Sequence, residues 1–281
     1  AVIRLPLGIA ADALGRRKPF ILAGIALCGL GAWVMGTAGG TPGLIAGRAI
    51  TGLAAGTWVP LTVAFSGLFP PREAIRATAF LTFVASAGRV VATGMTGTLN
   101  ELGGYQLAFT LAAAVAVVAL LVTLPAKEPR RPPQKPSVQT IGHIMMRGDV
   151  LIPSLLGAVW QYANWAISFG FMPILARQLG ATDVILSLLT SMQIVVVTLN
   201  SLLAAAIVNR FGARRMISAT LMLMVGGIAL GAAAPNLVVV FMAQFCLGVA
   251  QGITYPVLMG LSIRDVAEAE RTTAMGVHQS V

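Results

Sequence analysis

A chain of 281 residues that is 57% hydrophobic and 10% charged, with a mean hydropathy of +0.86, falls far below the roughly 25% charged residues of soluble domains. A water-soluble globule is excluded. Its net charge of +10 and pI near 11 do not point to nucleic acid either, because no basic stripe with interleaved aromatics is present.

Apolar runs of about 20 residues bounded by charge and turn clusters mark candidate membrane spans. Residues 1–11 are a remnant of one, ending at Asp12 and the loop ALGRRK. Residues 19–38, 42–69, 75–99 and 106–124 follow. The run PAKEPRRPPQKP, residues 125–136, is proline-rich and basic and cannot span a membrane. Beyond it, residues 137–147 place Val138, Ile141, Ile144 and Met145 at helical spacing opposite His143 and Arg147, the pattern of a short interfacial helix. The second half supplies runs at 150–176, 182–208, 216–234 and 237–263, and a last segment opens at Arg271. The expected organisation is an N-terminal bundle (1–124), a linker with an interfacial helix (125–148) and a C-terminal bundle (149–281). The chain opens mid-pattern, without an initiator Met or signal-peptide layout, and stops partway through a span, so it reads as a fragment.

Charge placement supports this layout. Fifteen of the nineteen basic residues fall in alternate loops, one (Arg177) falls in the opposite loops, and Arg4, Arg48 and Arg89 lie within spans. Lys and Arg concentrate in cytoplasmic loops, which places the Gly15-Arg16-Arg17 loop and the central linker in the cytoplasm. Cys28 and Cys246 lie far apart inside apolar runs and read as small core residues, not a disulfide or metal pair.

The two halves echo each other. LIAGRAITGLAAGTWVP (44–60) and FMAQFCLGVAQGITYP (241–256) align at an offset of 196. Gly52 then meets Gly248, Gly56 meets Gly252 and Pro60 meets Pro256, while Arg48 meets Gln244. Small residues four apart allow close helix approach, so Gly52, Gly56, Gly248 and Gly252 are candidate packing positions. ADALGRRKPFI (11–21) matches VNRFGARRMIS (208–218) at an offset of 197, pairing Gly15 with Gly212 and Arg17 with Arg214. Arg76-Ala77-Thr78-Ala79 matches Arg271-Thr272-Thr273-Ala274 at 195. Corresponding segments cross in the same direction, a parallel repeat of the kind used by transporters.

The loop GIAADALGRRK, with Gly8, then Asp12, then Gly15 and a basic run, resembles a signature of the major facilitator superfamily. Ala13 departs from it where a basic residue is usual. Arg48 with Gly52 and Gly56 resembles that family's fourth-span signature. A fifth-span signature of many proton-driven antiporters is degraded, its positions occupied by Ala92, Thr93, Thr96 and Gly97. The resemblance covers the whole chain. It implies an all-α integral membrane protein of two pseudo-symmetric bundles with twelve spans in full, the first and last of them lying outside this sequence. It also implies secondary active transport by alternating access, with the fourth, seventh and tenth spans facing the solute.

Three mid-span arginines would cost roughly 8–10 kcal/mol if they faced lipid, so they are expected to face a cavity or partners. Arg4, Arg48 and Arg89 either bind an anionic part of a solute, pair with a carboxylate that carries a coupling proton, or bond carbonyls at helix interfaces. The family resemblance adds a binding or coupling role for Arg48. Thr82, Ser86, Arg89, Thr93, Thr96 and Asn100 follow one helical face, which lines a solute path or packs against another helix. Gln161, Asn164, Trp165 and Ser168, with Trp160 and Tyr162 beside them, form a similar patch. Gln244, Gly248, Gln251 and Tyr255 share a face in the tenth span. Gln161, Asn164, Gln244, Gln251 and Tyr255 are the expected solute contacts. Gly8, Asp12, Gly15, Arg16 and Arg17 suit a cytoplasmic gate of ion pairs against helix termini.

Serine-hydrolase and zinc-protease motifs are absent, as is a nucleotide loop, and His143 and His278 lie outside the middle of any span. An enzyme or an ATP-driven pump is therefore not expected. A passive channel or receptor shares the composition, and measured flux separates them. The expected function is proton-coupled efflux of a small anionic or zwitterionic solute by an antiporter, with no cofactor or metal, acting as a monomer in a bacterial inner membrane. The alternative is an uptake symporter for an organic acid or similar nutrient.

Overall fold

The computed structural model describes residues 6–7, 10–11, 14–66, 68–69, 74–126, 138–264, 266 and 271–280, and among these there is helix but no strand. Arg4, Gly8, Asp12 and the linker stretch 127–137 lie outside the described residues. Six helices among the described residues are long and apolar enough to cross a membrane. Apolar side chains such as Leu202 and Met222, 73% and 76% exposed, cover the outside, as lipid contact requires and water contact would not tolerate over so much surface.

The chain divides into two compact units. One comprises Ala1–Ala85, Leu99–His143 and Ser280; the other comprises Ser86–Thr98, Ile144–Gln279 and Val281. This grouping differs from the expected division in two places, the fifth span and the start of the second half.

In the first unit, α1 (Lys18–Gly36) and α2 (Thr41–Ala54) each carry Pro at the first or second helical position, where a missing N–H costs nothing. The pair packs through glycine. A Cβ on Gly31 would lie 2.8 Å from the carbonyl oxygen of Gly47, and a Cβ on Gly47 equally close to that of Gly31. After a tight turn at Ala55–Thr57 the chain continues as α3 (Trp58–Ser66). Next comes α4 (Ala74–Thr123), in which Gly103 and Gly104 leave helical geometry. Gly104, at φ 66 and ψ 180, adopts a conformation open essentially to glycine alone, and it marks the expected break between the fifth and sixth spans. Lys18 Nζ donates to the Leu124 carbonyl at 2.6 Å, tying the start of α1 to the end of α4.

The second unit holds the last residues of α5 (Val138–Met146), then α6 (Gly148–Asn164), a π-helical turn at Trp165–Phe171 and α7 (Met172–Gln178). Then follow α8 (Asp183–Phe211), α9 (Ala213–Ala232), α10 (Leu237–Arg264) and α11 (Arg271–Ser280). Thr182 caps α8 by accepting from the Ile185 N–H, and Asp183 and Arg210 complement the dipole at its two ends. Arg177 pairs with Asp183 across the α7–α8 loop. The core gathers Met172, Ala176, Leu189, Val240, Ala243 and Leu247.

A second cluster joins Ile144, Val150, Val266, Ala274 and Val277. Ile144 is fully buried, so that part of the expected interfacial helix turns toward protein, while Met145 and Met146 remain exposed. Segment Ser86–Thr98 belongs to this unit because Gly97 meets the backbone of Asp183 and Val184, and Thr93 Oγ1 bonds Ser191 Oγ at 2.9 Å. Cys28 is exposed and Cys246 half-buried, so the expectation that Cys28 is a core residue is corrected: its side of α1 faces outward.

The internal repeat has a backbone counterpart. Gly15 and Gly212, paired at the offset of 197, both take positive φ, 62 and 84. Only glycine enters that region without strain, so both loops need it at the matched position.

Candidate functional site

The most polar interior lies among α6, the π turn, α8 and α10. Trp160 on α6 is 4% exposed, and its indole Nε1 donates to Gln251 Oε1 on α10 at 2.5 Å. Gln251 Nε2 donates in turn to Gln161 Oε1. Deeper along the same helices, Ser168 Oγ donates to Asn164 Oδ1 at 3.3 Å.

The π turn has a local cause. Its wider register sends the Met172 N–H to the Ile167 carbonyl, so the next bond would run from residue 173 to Ser168. Residue 173 is proline and has no N–H. The Ser168 carbonyl is thereby left to a distant donor, and Gln244 Nε2 takes it at 3.1 Å. The same Nε2 donates to Gln193 Oε1 on α8 at 2.9 Å. This sets the orientation of both amides, because turning Gln244 would point an oxygen at an oxygen. It also leaves two buried amide atoms, Gln193 Nε2 and Gln244 Oε1, without a hydrogen-bond partner among the described residues.

The expected residues separate as follows. Gln161, Asn164, Gln244 and Gln251 are brought together within one bundle. Trp160 and Ser168 join them. Trp165 and Tyr162, expected beside them, instead face outward at 49% and 79% exposure, and Trp165 stacks near Phe169 at 5.0 Å. Tyr255 sits below the cluster against His278, ring centroids 6.1 Å apart. Gln193 was not singled out, because a lone amide in the run SMQIVVV has no periodic partner.

Gly248 and Gly252 let α10 approach α8. An added Cβ would lie 3.0 Å from Val196 Cγ1 at the first and 2.7 Å from both Asn200 Cβ and the Val197 carbonyl at the second. Their first-half counterparts differ. Gly56 is buried, but a Cβ on Gly52 would meet nothing within 4 Å, so Gly52 makes no packing contact among the described residues. Gly47, five residues earlier, carries the close approach to α1 instead. Because successive helical residues turn by about 100°, Arg48 then points away from that contact, and its side chain is exposed.

Arg89 is exposed as well. On its polar face Thr93 reaches Ser191, Thr96 bonds its own helix at Ala92, and Asn100 Oδ1 is buried without a partner among the described residues. Gly15 forms the loop turn before α1, Arg16 is exposed and Arg17 is half-buried at the helix start.

A multi-pass helical bundle of this kind, with polar amides buried inside one unit and apolar side chains outside, defines an integral membrane protein. The model of the Major Facilitator Superfamily matches residues 1–160 and 154–281, and the chain belongs to that family, whose members are membrane transporters and not enzymes. A comparison with curated protein sequences finds no match. Among solved structures, a D-xylose-proton symporter is 19% identical with a TM-score of 0.75, over 99% of this chain and 74% of that one. A bacterial homolog to the human lysosomal transporter Spinster, inward-facing and occupied, is 16% identical with a TM-score of 0.71, over 99% and 66%. The E. coli fucose:proton symporter, FucP, is 15% identical with a TM-score of 0.60, over 99% and 77%. These likenesses establish the fold.

Proposed function

We propose that this transporter moves a small polar organic solute by alternating access, couples that movement to protons, and holds the solute with the amide and indole cluster of its second half. The observation that carries the reading is the pair of unpartnered buried amide atoms, Gln193 Nε2 and Gln244 Oε1, beside the Trp160–Gln251–Gln161 chain. A donor and an acceptor in a low-dielectric interior suit a solute that offers both, such as a hydroxylated, zwitterionic or carboxylate-bearing molecule. Arg48 and Arg89 supply the positive charge, with Arg48 the residue assigned to coupling. The fifteen-to-one charge bias supports a cytoplasmic linker, and we take the membrane to be a bacterial inner membrane.

Export is the direction expected from the sequence. The printed names of two fold neighbours, proton symporters for D-xylose and fucose, favour a second reading, uptake by symport. One experiment addresses both. Purified protein in liposomes that trap a pH-sensitive dye is exposed to a panel of sugars, organic acids, amino acids and zwitterions. Inward solute movement by symport acidifies the lumen, and antiport alkalinises it. No proton movement with any solute, together with passive solute leak unaffected by a pH gradient, would contradict proton coupling.

A further inference from the structure

Among the described residues of the second unit, one buried titratable side chain lies outside the amide cluster. His278 lies on α11, seven residues beyond Arg271, and is only 6% exposed. Its Nδ1 lies 3.1 Å from Ser154 Oγ on α6. With that hydroxyl's single proton given to the Val150 carbonyl at 2.7 Å, the imidazole is the donor, with its hydrogen on Nδ1. The neutral ring then carries its lone pair on Nε2. Gly157 makes room there, since a Cβ on it would come within 3.2 Å of Cε1 and 3.6 Å of Nε2. From α10, the Tyr255 ring lies 6.1 Å away, tilted by 47°.

Among the described residues, the charged groups of the helices that meet it lie toward the helix ends. Residues 150–176 and 237–263 contain no Asp, Glu, Lys, Arg or His. On α6 the nearest is Asp149, held by Arg147 at 2.6 Å; α10 presents Tyr255 and ends at Arg264; α5 presents His143, which is exposed; α11 opens with Arg271.

The geometry points to His278 as a proton-binding site of the second half, which takes its proton on Nε2 and in doing so loosens α11 from α6. A second proton turns Nε2 from an acceptor into a donor that faces a glycine notch and an aromatic ring. An aromatic face can attract the cation but supplies no lone pair in the ring plane. Hydrating the new donor on a ring that is only 6% exposed favours a looser seat for α11, so proton uptake and helix packing become one linked equilibrium. The first half contributes fixed charge through arginine, which does not release protons; an imidazole does so in the physiological range.

This inference deepens the transport reading, since coupling needs a proton site, but it is tested without any solute. The chain has two histidines, and His143 is an exposed internal control. The full chain in lipid nanodiscs, with ¹⁵N-histidine and ¹³C-tyrosine labels, reports tautomer, charge and ring environment directly. His143→Gln assigns the two imidazoles by elimination, so no variant of His278 is required. The expected result is the Nδ1–H tautomer in the neutral ring, converting reversibly to the doubly protonated ring as the pH falls, with Tyr255 shifting at the same midpoint. Ser154→Ala should remove the tautomer preference, and Gly157→Ala should displace the midpoint. An Nε2–H tautomer, or a ring that stays neutral down to the lowest pH at which the protein remains folded, overturns the proposal. A neutral His278 in a protein that still moves solute with protons overturns it and leaves the transport reading intact. Titration as expected, without solute-driven proton flux, supports it and counts against that reading.

Discussion

The Ser168 carbonyl, deprived of a helical donor by Pro173, accepts from Gln244 Nε2 at 3.1 Å, joining a break in one helix to a side chain 76 residues away. Pro173→Ala returns an N–H to this position and lets Ser168 close its bond within the helix, releasing Gln244. Stability is expected to rise, by up to the roughly 3 kcal/mol that a helix-interior proline costs, with a higher thermal midpoint, while solute transport falls. Transport unchanged by Pro173→Ala would show that the break has no part in solute handling.

Gln244 and Gln193 form a pair that a double-mutant cycle can weigh. Gln244→Ala strands both the Ser168 carbonyl and Gln193 Oε1, which predicts a loss of about 1–3 kcal/mol. Replacing both glutamines by leucine should cost less than the sum of the single changes, since no amide is then left unpaired. The coupling expected inside a membrane protein is about 0.5–2 kcal/mol, read from unfolding in a mild detergent.

Trp160→Phe keeps the ring and removes the N–H that reaches Gln251 at 2.5 Å. Stability should fall by about 0.5–1.5 kcal/mol, with solute affinity weakened about tenfold. Trp165→Phe, on the outward face, should change neither. Equal effects at the two tryptophans would place the solute elsewhere.

The contact between Gly31 and Gly47 predicts opposite outcomes for two similar changes. Gly47→Ala pushes a methyl to 2.5 Å from Met35 Cγ and 2.8 Å from the Gly31 carbonyl, an overpacking worth about 1–3 kcal/mol of destabilisation. Gly52→Ala meets nothing within 4 Å and should stabilise by up to about 1 kcal/mol through helix propensity. Thermal unfolding of the two variants side by side is the check.

Asp149 lies before the seventh span, and its hydrogen bond to Arg147 holds its carboxyl below the usual carboxylate range. A depressed folded-state pKa contributes stability above the unfolded value and loses it as pH falls through the folded one. The pair should therefore be insensitive to pH from neutrality down to about 4 and weaken only below that. Unfolding midpoints from pH 7 to 3, compared with Asp149→Asn, read this out: the two proteins should converge at the acid end.

Much of the architecture was legible because membrane spans write themselves in long apolar runs and alternating basic loops. The Gly15–Gly212 correspondence was legible too, since a turn that needs positive φ keeps its glycine in both halves. Gln161, Asn164, Gln244 and Gln251 stood out as amides spaced on helical faces. What escaped depends on partners distant in sequence. The π turn needs Pro173 and Gln244 together, and the hydrogen-bond partner of His278 is Ser154, 124 residues away. Gly52 misled because a glycine's spacing does not say which helical face meets a neighbour. Gly47, on the face that does, sits beside Arg48 and leaves that side chain exposed, away from α1.

The division of labour between Arg48 in the first half and the amides in the second is tested most directly by proton-driven solute flux in liposomes, measured for the unmodified protein, Arg48→Gln and Gln251→Ala. Arg48→Gln should retain solute binding, read as thermal stabilisation by the transported solute, and lose flux driven by the pH gradient. Gln251→Ala should lose both. Undiminished proton-driven flux in Arg48→Gln would remove this arginine from coupling and contradict the account.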